Sequence, residues 1–154
     1  MSQGTSEVAL RQALVTALRA RAALADVQVL YAIDTFETGD DHLQDEAIWF
    51  GDTEWVSSVI PVLNAGTKKV DETYEIEFSI QVVKTDGSSQ ETADVRAVVL
   101  LAELQQAFAE TPQVSSNTMW GEMHMLKHIV GPVSPGPGHV ALFEGVIWAK
   151  ARLA

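Results

Sequence analysis

The chain has 154 residues, 47% hydrophobic and 20% charged, with no cysteine and a formal net charge of −11. That length suits a single domain over 1–154 with a sizeable core, and the lack of cysteine excludes disulfides, thiolate metal sites and cysteine nucleophiles. With 10 basic residues against 21 acidic ones, the chain lacks the clustered Lys and Arg that adhesive binding to a phosphate backbone needs, and it should repel nucleic acid and acidic lipid.

The opening residues, Met1 to Glu7, are polar and lack the basic-then-apolar pattern of a secretory leader. No apolar run reaches the ~18–20 residues that cross a bilayer. A soluble protein made in the cytoplasm, with no membrane partner, is expected. Val8, Leu10, Leu14, Ala17, Leu18 and Ala22 recur at three- and four-residue steps, which predicts an amphipathic helix over 6–24, capped by Thr5 or Ser6. Arg11, Arg19 and Arg21 on it are expected to form a solvated face. Asp26 stops the helix, and 27–33 reads as a strand rich in β-branched and aromatic residues.

Residues 34–46 hold six acidic side chains and no basic one. The cluster Asp40, Asp41, Asp45 and Glu46 invites a calcium site, but the spacing is not that of an EF-hand, and Gly39 precedes the acids instead of lying among them. A solvated or partner-facing loop is the expected role. Residues 47–50 and 54–60 read as two short strands parted by Gly51-Asp52, with Pro61 ending the second. Residues 63–72 read as an exposed connection.

The centre of the chain is 73–108. Tyr74, Ile76, Phe78, Ile80 and Val82 alternate with Thr73, Glu75, Glu77, Ser79 and Gln81, the period-two pattern of a strand with one dry and one wet face. Asp86-Gly87 turns the chain, Ser88 with Glu91 reads as a capping box, and Val98, Leu101, Ala102, Leu104, Ala107 and Phe108 form the expected buried stripe of a helix. Thr111-Pro112 stops it. Residues 118–130 form a long strand, 131–138 a Gly/Pro turn, and 139–152 a last strand with apolar residues on both faces, one for a helix and one for another subunit.

Catalytic signals are sparse. Glu122, His124 and His128 share a parity on the Met-rich strand, so a metal site can be drawn from them, yet no further ligand is evident nearby and none is expected to bind. His42 and His139 have no nucleophile or oxyanion donor placed beside them. Phosphate-cradling loops and a Gly-x-Ser-x-Gly elbow are absent from the sequence. Trp49, Trp55, Trp120 and Trp148 read as core or interface anchors, and Met119, Met123 and Met125 as packing. Neither an enzyme nor a cofactor is expected. The fold class is α+β: a mixed, mostly antiparallel twisted sheet of about five to six strands, with two amphipathic helices on one face.

The order of these elements resembles the tail terminator, or tail completion, proteins of long-tailed phages with non-contractile tails. The resembling pieces are the opening Ala-Leu helix, the strand from Val27 to Tyr31, the alternating strand from Tyr74 to Val83 and the helix from Thr92 to Phe108. The resemblance implies a virion protein at the head-proximal end of the tail. It would form a homohexameric ring that caps the tail tube, stops its polymerisation and joins the head-completion or connector protein, while DNA passes through without specific binding. The acidic charge fits such a lumen, with Asp40, Asp41, Asp45, Glu46, Glu75 and Glu77 as the candidate lumen or partner face. The alternative is a monomeric or dimeric α+β barrel that binds an apolar small molecule, or an enzyme of that shape, with the tryptophans lining the cavity.

Overall fold

A computed structural model describes residues 5–33, 42–58, 70–110, 118–133 and 136–153. In chain order these form helix α1 (Glu7–Arg19), a 3-10 turn (Ala22–Leu24), strands β1 (Gln28–Leu30), β2 (Glu46–Ser58) and β3 (Val70–Lys84), helix α2 (Gln90–Glu110), and strands β4 (Thr118–Val133) and β5 (Gly138–Leu153). The sheet order is β1-β2-β3-β5-β4. β1 is parallel to β2, and the other neighbouring pairs are antiparallel. The fold is the expected α+β sheet with two helices on one face.

The alternation in β3 builds the core. Tyr74, Ile76, Phe78, Ile80 and Val82 are at most 1% exposed. They pack with Leu10, Leu14 and Leu18 of α1 and with Ala93, Ala97, Leu100, Leu104 and Ala107 of α2. Each large apolar side chain buried this way contributes about 1.5–3 kcal/mol. The pairing of β3 with β5 brings Ala141, Ile147 and Ala149 into the same layer. At Gly145 an added Cβ would lie 2.6 Å from both the Phe78 ring and the His124 carbonyl oxygen. The Phe78 ring thus fills the space a side chain would take. After β3 the chain reverses at Gly87, whose φ of 85° suits glycine.

Several boundaries differ from the sequence pattern. The first helix ends at Arg19 instead of near 24, because Arg21 is extended (φ −79°, ψ 127°) and a separate 3-10 turn follows. The strand expected over 27–33 is only three residues long. Gly51-Asp52 does not separate two strands. It is a β-bulge, with the pairing register slipping between Phe50 and Thr53 while β2 continues in one direction. β3 begins at Val70, inside the expected connection. β4 runs on through Gly131 and Pro132 to Val133, and an edge strand tolerates proline.

The helix start and stripe of α2 also shift. Ser89 caps it: its hydroxyl and carbonyl oxygens accept the Thr92 N–H at 3.3 and 3.1 Å. The Ser88 hydroxyl is instead bound to the Asp86 carboxylate in the preceding turn. The buried stripe is Ala93, Ala97, Leu100, Leu104 and Ala107, whereas Val98 is 52% exposed and Ala102 is exposed. Pro61, the connection over 63–69 and the Thr111-Pro112 stop lie outside the described residues.

Candidate functional site

The head of α1 is held by a carboxylate that arrives from far along the chain. Glu72, 2% exposed, accepts the Ser6 N–H at 2.7 Å, the Ser6 hydroxyl at 2.8 Å, the Thr5 hydroxyl at 3.0 Å and the Trp55 Nε1–H at 3.1 Å. An anion here also complements the positive end of the helix dipole. The Ser6 hydroxyl lies 2.9 Å from that of Tyr74, and burial pushes the Tyr74 phenol up to about 12. Of the two expected caps, Thr5 is the one that accepts a helix N–H, from Glu7 at 3.1 Å; the Ser6 hydroxyl is used on Glu72 and Tyr74 instead.

Of the three arginines Arg11 is buried, Arg21 half-buried and Arg19 exposed, and all three are tied to neighbouring elements instead of forming one solvated face. Arg11, 7% exposed, donates to Glu7 at 2.9 and 3.0 Å and to the Thr53 hydroxyl at 2.6 Å, and stacks over the Tyr31 ring. Arg19 donates to the Val29 carbonyl at 2.7 and 3.1 Å. Arg21 pairs with Glu103 and Glu110 of α2. Among the described residues no buried side-chain polar atom lacks a partner. These clusters are closed joints between elements, with no donor or base aimed at an empty space.

The candidate acids do not converge. Asp40 and Asp41 lie outside the described residues. Asp45 is exposed, and its carbonyl accepts the Val83 N–H at 2.8 Å. Glu46 points to the helix side, where Arg96 of α2 donates to both its oxygens at 2.8 and 2.9 Å and holds its carboxyl below the usual range. Glu75 and Glu77 lie on the opposite, helix-free face. Glu75 sits directly across from Glu54 on β2, and the Glu77 side chain covers Gly51. Among the described residues no ion pair reaches Glu54, Glu75 or Glu77. Glu122 and Glu144 are on this face too, with His124, Lys127 and Lys150 toward the β4 side. Glu54 and Glu144 were not singled out in sequence. Glu54 is found only once the bulge at Gly51-Asp52 fixes which residues of β2 face which way.

A second bulge, between Met125 and Lys127, breaks the drawn metal set. Glu122 and His124, 2.9 Å apart, project from the helix-free face. His128 turns to the other side, where it stacks on Phe143 with ring centroids 4.4 Å apart and meets Asp94 of α2 at 3.2 Å. No group of three His, Asp or Glu able to hold a metal occurs among the described residues. His139 binds the Ser88 carbonyl at 2.9 Å, and His42 is exposed. Trp55 and Trp148 do not converge either: one binds Glu72 on the helix side, the other lies beside His124 on the helix-free face.

Among the described residues β1 and β4 do not pair, and the five strands form an open sheet instead of the alternative barrel. Surface depressions of about 380, 490 and 490 Å3 lie beside Arg19 and Gln28, between α1 and α2 at Arg21, and beside Arg11 and Asp52. The arginine that lines each one, Arg19, Arg21 or Arg11, is already bound within the fold. Among the described residues no helix is long and apolar enough to cross a membrane.

No protein-family model and no curated protein sequence matches the chain. Among solved structures, the fold is similar to that of a chain in the virion of a native gene transfer agent particle. The TM-score is 0.58 with 14% sequence identity, over 93% of this chain and 94% of the other.

Proposed function

We propose that the chain is a structural virion subunit of the tail-terminator kind. It forms a closed homohexameric ring on the last ring of the tail tube, stops tube polymerisation, and offers its other surface to a head-completion or connector protein. The observation that carries this reading is the whole-chain likeness of the fold to a chain of a gene transfer agent virion. The likeness spans both chains almost end to end.

The bare sheet face supports the rest. With both helices on one side, the other side presents Glu54, Glu75 and Glu77 beside Glu122 and Glu144. Turned toward a channel, that face repels phosphate and lets DNA slide without binding. Glu75 and Glu77 are then the better lumen residues of the candidate set, because the charge of Glu46 is already neutralised by Arg96. The function needs no catalysis or cofactor.

The test is sedimentation across a wide concentration range followed by imaging of the particles. A closed six-membered ring that builds up with concentration is expected. A monomer at every concentration overturns the proposal.

A further inference from the structure

Among the described residues the sheet has two free edges, on opposite sides of the subunit. One is β4, whose outer side pairs with nothing among the described residues over Thr118–Val133. The other is the far half of β2. β1 covers only Ala47, Ile48 and Trp49, so no described strand lies outside residues 51–58. Edges of this length present rows of unpaired N–H and C=O groups that template a further strand. Exposed apolar side chains gather on the same two edges: Trp55 and Val56 on β2, and Met125, Leu126 and Val130 on β4, with Leu126 66% exposed. The edges also differ in charge. The β2 edge carries Asp52 and Glu54, backed by Glu75 and Glu77, whereas β4 carries Lys127, His124 and His128 against the single acid Glu122.

We propose that copies of this chain join through these edges, β4 of one copy adding to residues 51–58 of β2 in the next, with Lys127 beside Glu54. This names the subunit contact of the ring proposed above and rests on that reading. Strand direction commits the edge to a second copy. β2, β3, β5 and β4 alternate in direction, so β2 and β4 run opposite ways within one subunit. A neighbour in the same orientation therefore offers β2 antiparallel to β4 without being turned over. The contact is heterologous and can repeat around a ring.

The faces agree as well. Glu54 lies across from Glu75, and Lys127 across from Glu144, all on the helix-free side, so the two meet on one surface of the continued sheet. With Glu54 opposite Lys127, residues 123–131 run along 50–58. Pro132, which has no N–H to give, falls beside Trp49, where β1 already holds the edge. The arrival of Lys127 also offsets the directly opposed Glu54 and Glu75, an unfavourable pair in the lone subunit.

Charge exchange tests this. Lys127→Glu and Glu54→Lys should each raise the concentration for half-assembly at least tenfold, and the double variant should return it to within about threefold of the parent, with unchanged circular dichroism of the monomer in all three. A second measurement uses the lack of cysteine. Within one subunit, positions 54 and 127 lie three strand spacings apart across the sheet and four residues apart along it, about 20 Å in all, too far for a disulfide. Glu54→Cys/Lys127→Cys should therefore oxidise to a covalent ladder between copies.

Rings that form equally well in both single variants, or a double variant that is not rescued and yields no ladder, overturn the edge contact and leave the ring reading standing. Rescue and a ladder in open filaments uphold the contact and overturn the closed ring. A parent that stays monomeric at all concentrations overturns both.

Discussion

Tyr74 and Glu72 share one buried joint but respond to pH through the phenol. Burial raises the Tyr74 pKa to about 12, the Ser6 hydroxyl partly opposes this, and the carboxylates of Glu72 and Glu7 add to it. The folded state thus holds the phenolic proton more tightly than the unfolded chain, where tyrosine titrates near ~10. The resulting stability is complete below pH ~10 and is lost as pH rises toward ~12, about 2–3 kcal/mol in all. Urea unfolding from pH 9 to 12 should show this loss in the parent and not in Tyr74→Phe, which forgoes the Ser6 bond at every pH. A constant gap between the two proteins up to pH 12 would refute the burial account. Little of this joint was legible in sequence. Glu72 falls in a polar stretch that reads as a connection, and its partners Thr5 and Ser6 are 67 and 66 residues away. Local pattern has no access to a bond of that span.

The elements were legible where one period dominates. β3 alternates without exception, so its dry and wet faces are as the pattern predicts. α2 defeats the same method because it is apolar nearly all round, with Val95, Val98 and Val99 exposed opposite the true stripe. Giving weight to large residues selects Val98 and Leu101. The sheet instead accepts Ala93, Ala97 and Ala107 interleaved with Leu100 and Leu104, since small side chains let the helix lie close to β3 and β5. Leu104→Ala should therefore cost about 2–5 kcal/mol in urea unfolding, and Val98→Ala under about 0.5 kcal/mol. Equal losses would mean the stripe is misplaced. β2 departs from its pattern for a different reason: Gly51-Asp52 has turn composition, yet cross-strand pairing on both sides of it carries the chain straight through a bulge.

At the scale of the molecule, charge is the dominant fact, and composition reveals its amount but not its distribution. The candidate acids looked equivalent in sequence. Folding spends Glu46 on Arg96 and leaves Glu75 facing Glu54, because the period-two alternation sends neighbours to opposite faces and only the tertiary contact with α2 supplies a cation. A chain at −11 with such opposed acids is strained by its own field. Raising NaCl from about 0.02 to 0.5 M should stabilise the isolated subunit by about 1 kcal/mol, or ~2–4 °C in Tm. Glu75→Gln should take up part of that gain at low salt. A Tm that falls or stays flat with salt would argue against net repulsion.

The Glu72 joint also orders events in time. α1 leaves the ribosome before β3, and the carboxylate that holds its head is made 66 residues after Ser6. At ~5–20 residues per second, that is a wait of roughly 3–13 s. Through that interval the helix has neither its anchoring anion nor the β3 surface it will lie on. A nascent chain stalled before Glu72 therefore meets chaperones and proteases as an undocked amphipathic segment, and the subunit becomes fit to assemble only once its middle strand has been synthesised.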